Sequence, residues 1–318
     1  MVKLFRQEFD TPQENLAFEE WYFNNFEEPS LRLWINPPSV VVGKHQCAFG
    51  EVNLNYCRQL GLPVIRRISG GGTVVHDYGN VNFSFFGFTD PENVVDYHNN
   101  LTRMANALKS LGYPVEISPR NDLFIAGAKI SGNAQHISKG KFIHHGTLLY
   151  NSNLERLSAC IRPSNEVITH KGVKSVRSKV TNLIGHCNVG STSQFVELLM
   201  TALCEASEAE HWILTPEKLQ AFDKARSEKY TSSEWNLFYG PPFTINTRAG
   251  GFAFCIEVGR GGHIQHVGVK HINGADKDID ASRYTGQRLS QEVLLQIARE
   301  MDAGDLEAEA LCAAVYAG

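Results

Sequence analysis

The feature that most constrains the fold of this chain is a run of three glycines between two apolar segments. Residues 66–84 read RRISGGGTVVHDYGNVNFS, with Gly70, Gly71 and Gly72 close behind Arg67. Glycines let a ligand approach the backbone closely and expose a row of N–H donors, and the arginine supplies a fixed cation for oxyanions. A tight turn between two strands that binds nothing is the competing interpretation, because glycine-rich turns far outnumber nucleotide sites.

A second segment places a lysine in unusual surroundings. Residues 121–149 read NDLFIAGAKISGNAQHISKGKFIHHGTLL, in which Lys129 follows an apolar, strand-like run punctuated by Gly127 and Gly132. We expect this lysine to be partly desolvated, and a partly desolvated ammonium is either paired with an anion or destabilising. A surface lysine whose head reaches water is the favoured interpretation of this segment alone.

The histidines and cysteines indicate no metal centre. His144 and His145 are adjacent, so on a strand they point to opposite faces and one of them, taken here as His145, faces the site. The seven cysteines are scattered, without a CxxC pair or a Cys/His cluster of zinc spacing, which predicts reduced structural thiols.

Together the two segments resemble the lipoate-protein ligase family, of the lipoate-protein ligase A type with a C-terminal accessory domain. The matching pieces are RRISGGGTVVHDYGN at 66–80, NDL at 121–123, KISGNA at 129–134, HHGTLL at 144–149 and SVRSKVTNL at 175–183. Weaker matches are ENLAFEE at 14–20, VVVGKHQ at 40–46 and YGPPF at 239–243. The resemblance is specific because no single motif carries it.

The resemblance implies an enzyme that uses ATP and Mg²⁺ to convert lipoate to lipoyl-AMP and then passes the lipoyl group to a lysine of an acceptor protein. The expected acceptors are lipoyl domains of 2-oxoacid dehydrogenase acyltransferase subunits and the glycine cleavage H protein. Lys129 is the predicted catalytic residue, in contact with the α-phosphate and the acyl oxygen. Asp122 is expected to orient a lysine or a metal ion, and no residue is assigned as a metal ligand. The residues predicted to bind lipoate or the adenylate are Arg67, Gly70, Gly71, Gly72, Thr73, Val74, Val75, His76, Asn121, Asp122, Lys129 and His145.

Composition agrees with an ordinary globular enzyme. The chain has 318 residues, 42% of them apolar and 20% charged, which allows one large domain and a small one. No apolar run is long enough to span a membrane, and the N-terminus lacks the features of a signal peptide. We expect a cytoplasmic protein with neither a nucleic-acid nor a membrane partner.

The pattern of apolar residues predicts an α+β fold with mixed or antiparallel sheets flanked by helices. The family resemblance implies that this fold is of the biotin/lipoate ligase type. A double proline at 241–242 marks the predicted boundary between a catalytic domain, 1–242, and a small α+β accessory domain, 243–318. Helices are predicted over 13–26, 52–61, 92–112, 191–208, 215–226, 289–302 and 305–316. Strands are predicted over 31–35, 39–43, 63–68, 81–88, 114–118, 122–131 and 142–150, with two further β-like runs over 243–259 and 262–270.

A basic segment lies within the predicted catalytic domain and includes the matched piece at 175–183. Residues 167–195 contain no acidic side chain but include Lys171, Lys174, Arg177 and Lys179. A local positive field of this kind attracts an acidic partner or a nucleotide, and a solvated basic loop is the competing interpretation. The family resemblance favours a functional role.

Several alternatives remain open at the level of sequence. A cysteine-dependent octanoyltransferase would carry Pro-Cys-Gly where this chain has Arg162, Pro163 and Ser164, and nearby Cys160 lies in a helix-like run that suits a structural thiol. A transfer-only lipoyltransferase with a pre-activated donor is the closer rival, followed by a non-catalytic lipoate-binding module and a biotin ligase. Trp34 or Val42 can line an apolar slot for the dithiolane, although core packing is the more common role of such residues.

Overall fold

The structure is a computed structural model that describes residues 2–89, 97–161, 167–176, 178–207, 209–225, 228–249, 251–272, 281–300 and 305–316. In these ranges the strands are β1 Val2–Arg6, β2 Ser30–Ile35, β3 Ser39–Val42, β4 Val64–Arg66, β5 Val74–His76, β6 Asn80–Phe88, β7 Glu116–Ile117, β8 Leu123–Ile125, β9 Ala128–Ser131, β10 Asn133–Ser138, β11 Lys141–Leu149, β12 Ile168–His170, β13 Ala209–His211, β14 Phe243–Ala249, β15 Phe252–Val258 and β16 Ile264–His271. The helices are α1 Pro12–Asn25, α2 Ala48–Glu51, α3 Leu54–Gln59, α4 Tyr97–Ser110, α5 Leu154–Cys160, α6 Thr192–Ser207, α7 Pro216–Ala225, α8 Gln291–Glu300 and α9 Asp305–Tyr316.

The largest sheet is mixed and has the strand order β10-β11-β6-β2-β1-β13. Strands β10, β11, β6 and β2 pair antiparallel, whereas β1 pairs in parallel with both β2 and β13. Apolar side chains of α4 and α6 cover one face of this sheet, and the aromatic side chains of α1 cover the other. The predicted α+β class with mixed sheets is therefore confirmed.

Helix α1 begins where the sequence places a capping residue. The Thr11 hydroxyl accepts a hydrogen bond from the Glu14 amide, and Pro12 occupies the first turn, where its missing N–H costs nothing. Leu16 and Phe23 point into the core, and Glu19, at the same helical face, is buried with them. A carboxylate on the apolar face of a helix requires partners in the interior.

A three-stranded sheet of order β4-β3-β5 carries the glycine loop, defined here as residues 67–73. The loop connects β4 to β5, so the strand predicted to lead into the glycines is present, and β5, which was not predicted, follows them. Beneath it, the buried guanidinium of Arg66 donates hydrogen bonds to the carbonyl oxygens of Gly43 at 2.8 Å and Gln46 at 2.7 Å. It also donates to that of Trp235 at 2.9 Å. Arg66 thus ties three separate parts of the chain together below the loop.

The strand predicted over 122–131 is wrong as a single element. The chain reverses at Ala126 and Gly127, with φ angles of 48° and 75°, and forms the hairpin of β8 and β9. Lys129 therefore lies on the second strand of a hairpin. Strand β10, which was not predicted, pairs with β11 and completes the edge of the large sheet.

The C-terminal part contains a four-stranded sheet of order β12-β14-β15-β16, with α8 and α9 packed against it. The predicted run over 243–259 is two strands, β14 and β15, rather than one. Strand β12 lies before the predicted boundary at residue 242, yet it pairs with β14. One hydrophobic core joins Val40 and Val75 of the glycine-loop sheet to Ile256 and Leu294 of the C-terminal part. The boundary itself remains a prediction.

Several further helices and strands were predicted correctly, and some predicted positions lie outside the described residues. Helices α1, α6, α7, α8 and α9 and strands β2, β3 and β6 lie where they were predicted. The predicted helix over 92–112 is described from Tyr97 onward as α4, and residues 90–96, 162–166 and 177, with Arg162, Pro163, Ser164 and Arg177, lie outside the described residues. Within the described residues, no helix combines the length and apolar character needed to cross a bilayer.

Candidate active site

A cavity of about 660 Å³ opens between the glycine loop, the β8–β9 hairpin and strand β11. Most of the predicted site residues line it: Arg67, Gly71, Gly72, Thr73, Val74, His76, Asp122, Lys129 and His145. Apolar side chains also line the cavity: Leu16, Trp34, Val41, Phe83 and Phe124. A slot that combines apolar side chains with several polar groups suits a ligand that has an aliphatic tail and an anionic head.

Lys129 forms an ion pair within this cavity. Its Nζ lies 2.9 Å from Oδ1 of Asp122, and the two side chains are 22% and 20% exposed. The backbone of Lys129 is fixed as well, because its N–H donates to the Lys179 carbonyl at 2.8 Å and its carbonyl accepts from the Thr181 N–H at 3.1 Å. The ammonium is therefore oriented by a carboxylate and still accessible to a ligand.

Arg67 holds the glycine loop in shape. Its Nη2 donates to the carbonyl oxygens of Gly70 at 2.5 Å and Gly72 at 2.8 Å, and its Nη1 donates to that of Val41 at 3.1 Å. Burial lowers the pKa of Arg67 to about 10, which leaves the guanidinium charged at neutral pH. The arginine predicted as a cation for the adenylate therefore holds the backbone of the glycine loop in place.

A buried chain of polar groups continues from Arg67 to helix α1. Nε of Arg67 donates to Oγ of Ser69 at 2.9 Å, and that oxygen lies 2.6 Å from Nε2 of His145. Nδ1 of His145 lies 3.0 Å from the Glu19 carboxylate, which also accepts from the Ser84 hydroxyl at 2.6 Å. Burial by itself raises the pKa of Glu19, but contacts with His145, Ser84 and Arg32 outweigh it, so this pKa lies below its ordinary value. The ionised carboxylate fixes a proton on Nδ1 of His145.

Ser175 joins the basic segment to the glycine loop. Its hydroxyl oxygen accepts hydrogen bonds from the Thr73 N–H at 3.1 Å and from Nε2 of Gln46 at 3.0 Å. The same hydroxyl donates to Glu51, as does the Ser175 N–H at 3.0 Å. One of the backbone donors expected to face the adenylate, that of Thr73, is thereby engaged by Ser175.

The predicted residues His76, Gly70 and Asn121 form contacts with other parts of the protein. His76 lines the cavity, and burial lowers its pKa to about 3, so its neutral Nδ1 accepts from Nδ2 of Asn36 at 2.9 Å. The Gly70 carbonyl accepts from Arg67 and the Asn121 carbonyl accepts from Nδ2 of Asn133 at 3.1 Å, and neither Gly70 nor Asn121 lines the cavity. His144 is buried on the opposite face of β11 against Phe85, as the alternation of side chains predicts.

A smaller cavity of about 250 Å³ adjoins the first. Lys129 lines both cavities, as do Thr73 and Val74. The residues specific to the smaller cavity are mainly apolar: Val75, Leu149, Leu154, Leu157, Ile161 and Val180. Lys129 therefore lies where two slots meet, the larger one beside Gly71 and Gly72 and the smaller one lined mainly by aliphatic side chains. Trp34 lines the larger slot, whereas Val42 packs in the core.

Sequence reasoning missed three polar residues of this site. The burial of Glu19 could have been predicted from the sequence, because it lies three residues after Leu16 and four before Phe23 on the apolar face of α1. Ser69 and Ser175 lie within matched motifs, but only their contacts with His145 and Thr73 reveal what they do. Their roles depend on segments that are distant in sequence.

Cys160 is expected to be dispensable for chemistry. It ends α5, its side chain is 0% exposed, and it lies in the same buried apolar cluster as Cys57. We expect Cys160→Ser to keep activity within about threefold of wild type, with a loss of stability of about 1 kcal/mol. Intact mass measured during turnover should reveal no acyl-thioester, and detection of one would overturn this assignment.

A sequence profile and similar sequences indicate the same protein family. The sequence profile described as "Lipoyl protein ligase A/B catalytic domain" matches residues 11–204. Lipoate-protein ligase 1 of Staphylococcus aureus is 36% identical over 237 residues, which cover 74% of this chain and 72% of that protein. The mitochondrial lipoyl amidotransferase LIPT1 of Mus musculus is 34% identical over 248 residues, which cover 74% of this chain and 65% of that protein.

Solved structures agree. A crystal structure of lipoate-protein ligase A bound with ATP has a TM-score of 0.61 and 26% identity, and the match covers 74% of this chain and 98% of that one. The structure of Ta0514 from T. acidophilum, with bound lipoic acid, has a TM-score of 0.61 and 25% identity, covering 74% of this chain and 99% of that one. The matched profile spans more than half of the sequence and includes Arg67, Lys129 and His145. The chain therefore belongs to the lipoate-protein ligase family of enzymes.

Proposed function

We propose that this protein is an ATP-dependent lipoate-protein ligase that makes lipoyl-AMP and transfers the lipoyl group to a lysine of an acceptor protein. The observation that carries the proposal is the position of Lys129 at the meeting point of two cavities. The larger cavity suits the aliphatic tail of lipoate, and the smaller one suits a nucleotide base. The carboxylate of lipoate and the α-phosphate of ATP would then meet beside one ammonium group.

The first step joins two anions, so its barrier falls when cations and backbone donors offset their repulsion. A carboxylate oxygen of lipoate attacks the α-phosphorus, the bond to the β-phosphate oxygen breaks, and pyrophosphate leaves. Lys129, held by Asp122, would contact the α-phosphate and the acyl oxygen. The glycine loop that Arg67 shapes would hold the phosphate through backbone N–H groups at Gly71 and Gly72.

The second step uses the same ammonium. The amine of the acceptor lysine attacks the acyl carbon of lipoyl-AMP, the bond to the phosphate oxygen breaks, and AMP leaves while the amine loses its proton to solvent. Lys129 can stabilise the oxyanion that develops on the acyl oxygen. This sequence requires no covalent enzyme intermediate, in agreement with the burial of Cys160. Lipoyl domains and the glycine cleavage H protein are the proposed acceptors.

Magnesium is the ion expected with ATP. Among the described residues, no three His, Cys, Asp or Glu side chains are grouped so as to hold a metal ion. The carboxylate that lines the cavity beside Lys129 is that of Asp122. This donor set fits an ion held mainly by phosphate oxygens and water, with Asp122 as its protein ligand, and such an ion would neutralise charge on the departing pyrophosphate.

A transfer-only lipoyltransferase is the second candidate, because the similarity to a lipoyl amidotransferase is almost as high as that to the ligases. Both enzymes need an acyl slot and Lys129, and they differ in whether the protein itself activates the acid with ATP.

One experiment separates the two candidates. The purified protein, incubated with lipoate, ATP and Mg²⁺ but no acceptor, is expected to release pyrophosphate and form lipoyl-AMP, measured by a coupled assay and mass spectrometry. In parallel, synthetic lipoyl-AMP is supplied with an isolated lipoyl domain. Modification from lipoyl-AMP without any adenylation from ATP would reject the ligase and establish the transferase.

A further inference from the structure

A second large depression, of about 770 Å³, lies next to the catalytic cavity and contributes nothing to the mechanism above. Four separate parts of the chain meet there. Lys44 follows β3, Lys171 follows β12, Tyr239 follows the π-helix Glu234–Phe238, and Arg260 lies in the connection between β15 and β16. These four residues, together with Val173 and Trp235, are called the basic surface below.

The basic surface carries uncompensated positive charge. Within the described part of the chain, Lys44, Lys171 and Arg260 form no salt bridge. A further lysine in the depression, Lys229, is different, because its ammonium lies 2.7 Å from Glu20. The exposed carboxylate of Glu234 also lines the depression. Free cations therefore exceed free carboxylates, and a ligand of this surface must be acidic.

The basic surface borders the catalytic cavity. Residues 171–176 form a wall between the two, since Lys171 lines only the depression, Ser175 lines only the cavity, and Val173 lines both. Val173 and Val176 are 46% and 75% exposed on this wall. These exposed valines add apolar area beside the cations, and a protein partner can bury such area where a small anion cannot.

Size and chemistry favour a macromolecule over a small anion. The cations Lys44, Lys171 and Arg260 come from three chain segments, and they share the depression with the ring of Tyr239, which is 47% exposed. Tyrosine and arginine side chains are common anchors in protein interfaces. A protein that inserts a lysine past Val173 toward Lys129 would place the surface around that lysine on these cations.

We propose that the basic surface is the docking site for the acceptor, and that it recognises acidic side chains around the lysine to be modified. The proposal rests on the function proposed above, because it requires an acceptor protein. It adds Lys44, Lys171 and Arg260 as determinants of acceptor affinity that take no part in adenylation.

The test is a double charge reversal, Lys171→Glu with Arg260→Glu, in the full-length protein. The matched control is Lys109→Glu, at an exposed lysine on α4. Adenylation is measured as pyrophosphate release without acceptor. Transfer is measured from preformed lipoyl-AMP to an isolated lipoyl domain of a 2-oxoacid dehydrogenase, over a range of domain and salt concentrations.

We expect adenylation by the double variant within about twofold of wild type, which also reports correct folding. The KM for the lipoyl domain should rise on the order of tenfold or more with little change in kcat, and the salt dependence of transfer should weaken. A lipoyl domain with acidic residues near its lysine changed to lysine should regain affinity for the variant.

Three results would overturn the proposal. A KM equal to that of Lys109→Glu would show that the acceptor does not use this surface. A raised KM for ATP would assign the surface to the nucleotide, and loss of both half-reactions would assign it to the integrity of the active site. Failure of the wild-type protein in both half-reactions is distinguishable from these, because it rejects the proposed function itself.

Discussion

Replacement of Lys129 by alanine is expected to lower kcat/KM for lipoylation by a factor on the order of 10² to 10³. The side chain is 22% exposed and lines both cavities, so its loss removes the ammonium at the point where carboxylate and phosphate would meet. The backbone contacts with Lys179 and Thr181 persist in the variant, and Asp122 can turn to water. The thermal midpoint of the apo protein should therefore change little. The measurements are steady-state lipoylation kinetics beside thermal denaturation.

Companion variants sharpen this expectation. Lys129→Arg should not restore full activity, because a planar guanidinium cannot place one donor where the compact ammonium lies between two oxygens. Asp122→Asn should have a smaller effect, on the order of tenfold, because it loosens the ammonium without removing it. Lys109→Ala serves as the control for loss of an exposed lysine. Near-normal activity of Lys129→Ala would remove this residue from the mechanism.

Substitution of Gly43 by alanine is expected to reduce kcat/KM by a factor on the order of 10², with a loss of about 1–3 kcal/mol of stability. A Cβ at Gly43 would overlap the carbonyl oxygen of Gly71. The Cβ is fixed by the backbone of residue 43, and the oxygen belongs to the backbone of Gly71. No side-chain rotation can therefore relieve the overlap, and the glycine loop must move. A displaced loop cannot present its N–H groups to the phosphate.

Gly70→Ala provides the matched control within the same loop. The nearest atom to a Cβ at Gly70 is Cδ2 of His45 at 3.8 Å, an ordinary contact, and its φ is not in the left-handed region. This variant should keep activity within about threefold and stability within about 0.5 kcal/mol. Equal losses in Gly43→Ala and Gly70→Ala would contradict the steric explanation. The readouts are adenylation rate and chemical denaturation of each variant.

The parts of the fold that local chemistry determines were predictable. Helix α1 has its capping threonine and apolar periodicity, and α6 and α7 have clear polar boundaries, so their limits lie within two residues of expectation. The hairpin of β8 and β9 was not predictable in this way. Its turn places Ala126, a residue without preference for the left-handed region, at a φ of 48°, and only the surrounding packing imposes that conformation.

The positions of candidate-site residues were predictable where those residues belong to a recognisable sequence motif. Lys129, Asp122 and His145 line the cavity as expected. Glu19 and Ser175 were missed, because their importance comes from burial and from partners far along the chain, as in the contact of Ser175 with Gln46. The hydrogen bonds of Arg67 to its own loop could not be anticipated either, because a motif gives no direction for a side chain.

The core that joins the glycine-loop sheet to the C-terminal part has a consequence for cooperativity. Val40 and Val75 flank the glycine loop and share one apolar cluster with Ile256 and Leu294. Because the same buried contacts stabilise both regions, local unfolding of one exposes apolar surface of the other. Deletion of residues 243–318 would uncover apolar residues of the glycine-loop sheet and leave β12 without β14, the strand with which it pairs. Amide hydrogens of β3 and β14 should accordingly exchange with solvent as members of one cooperative unit.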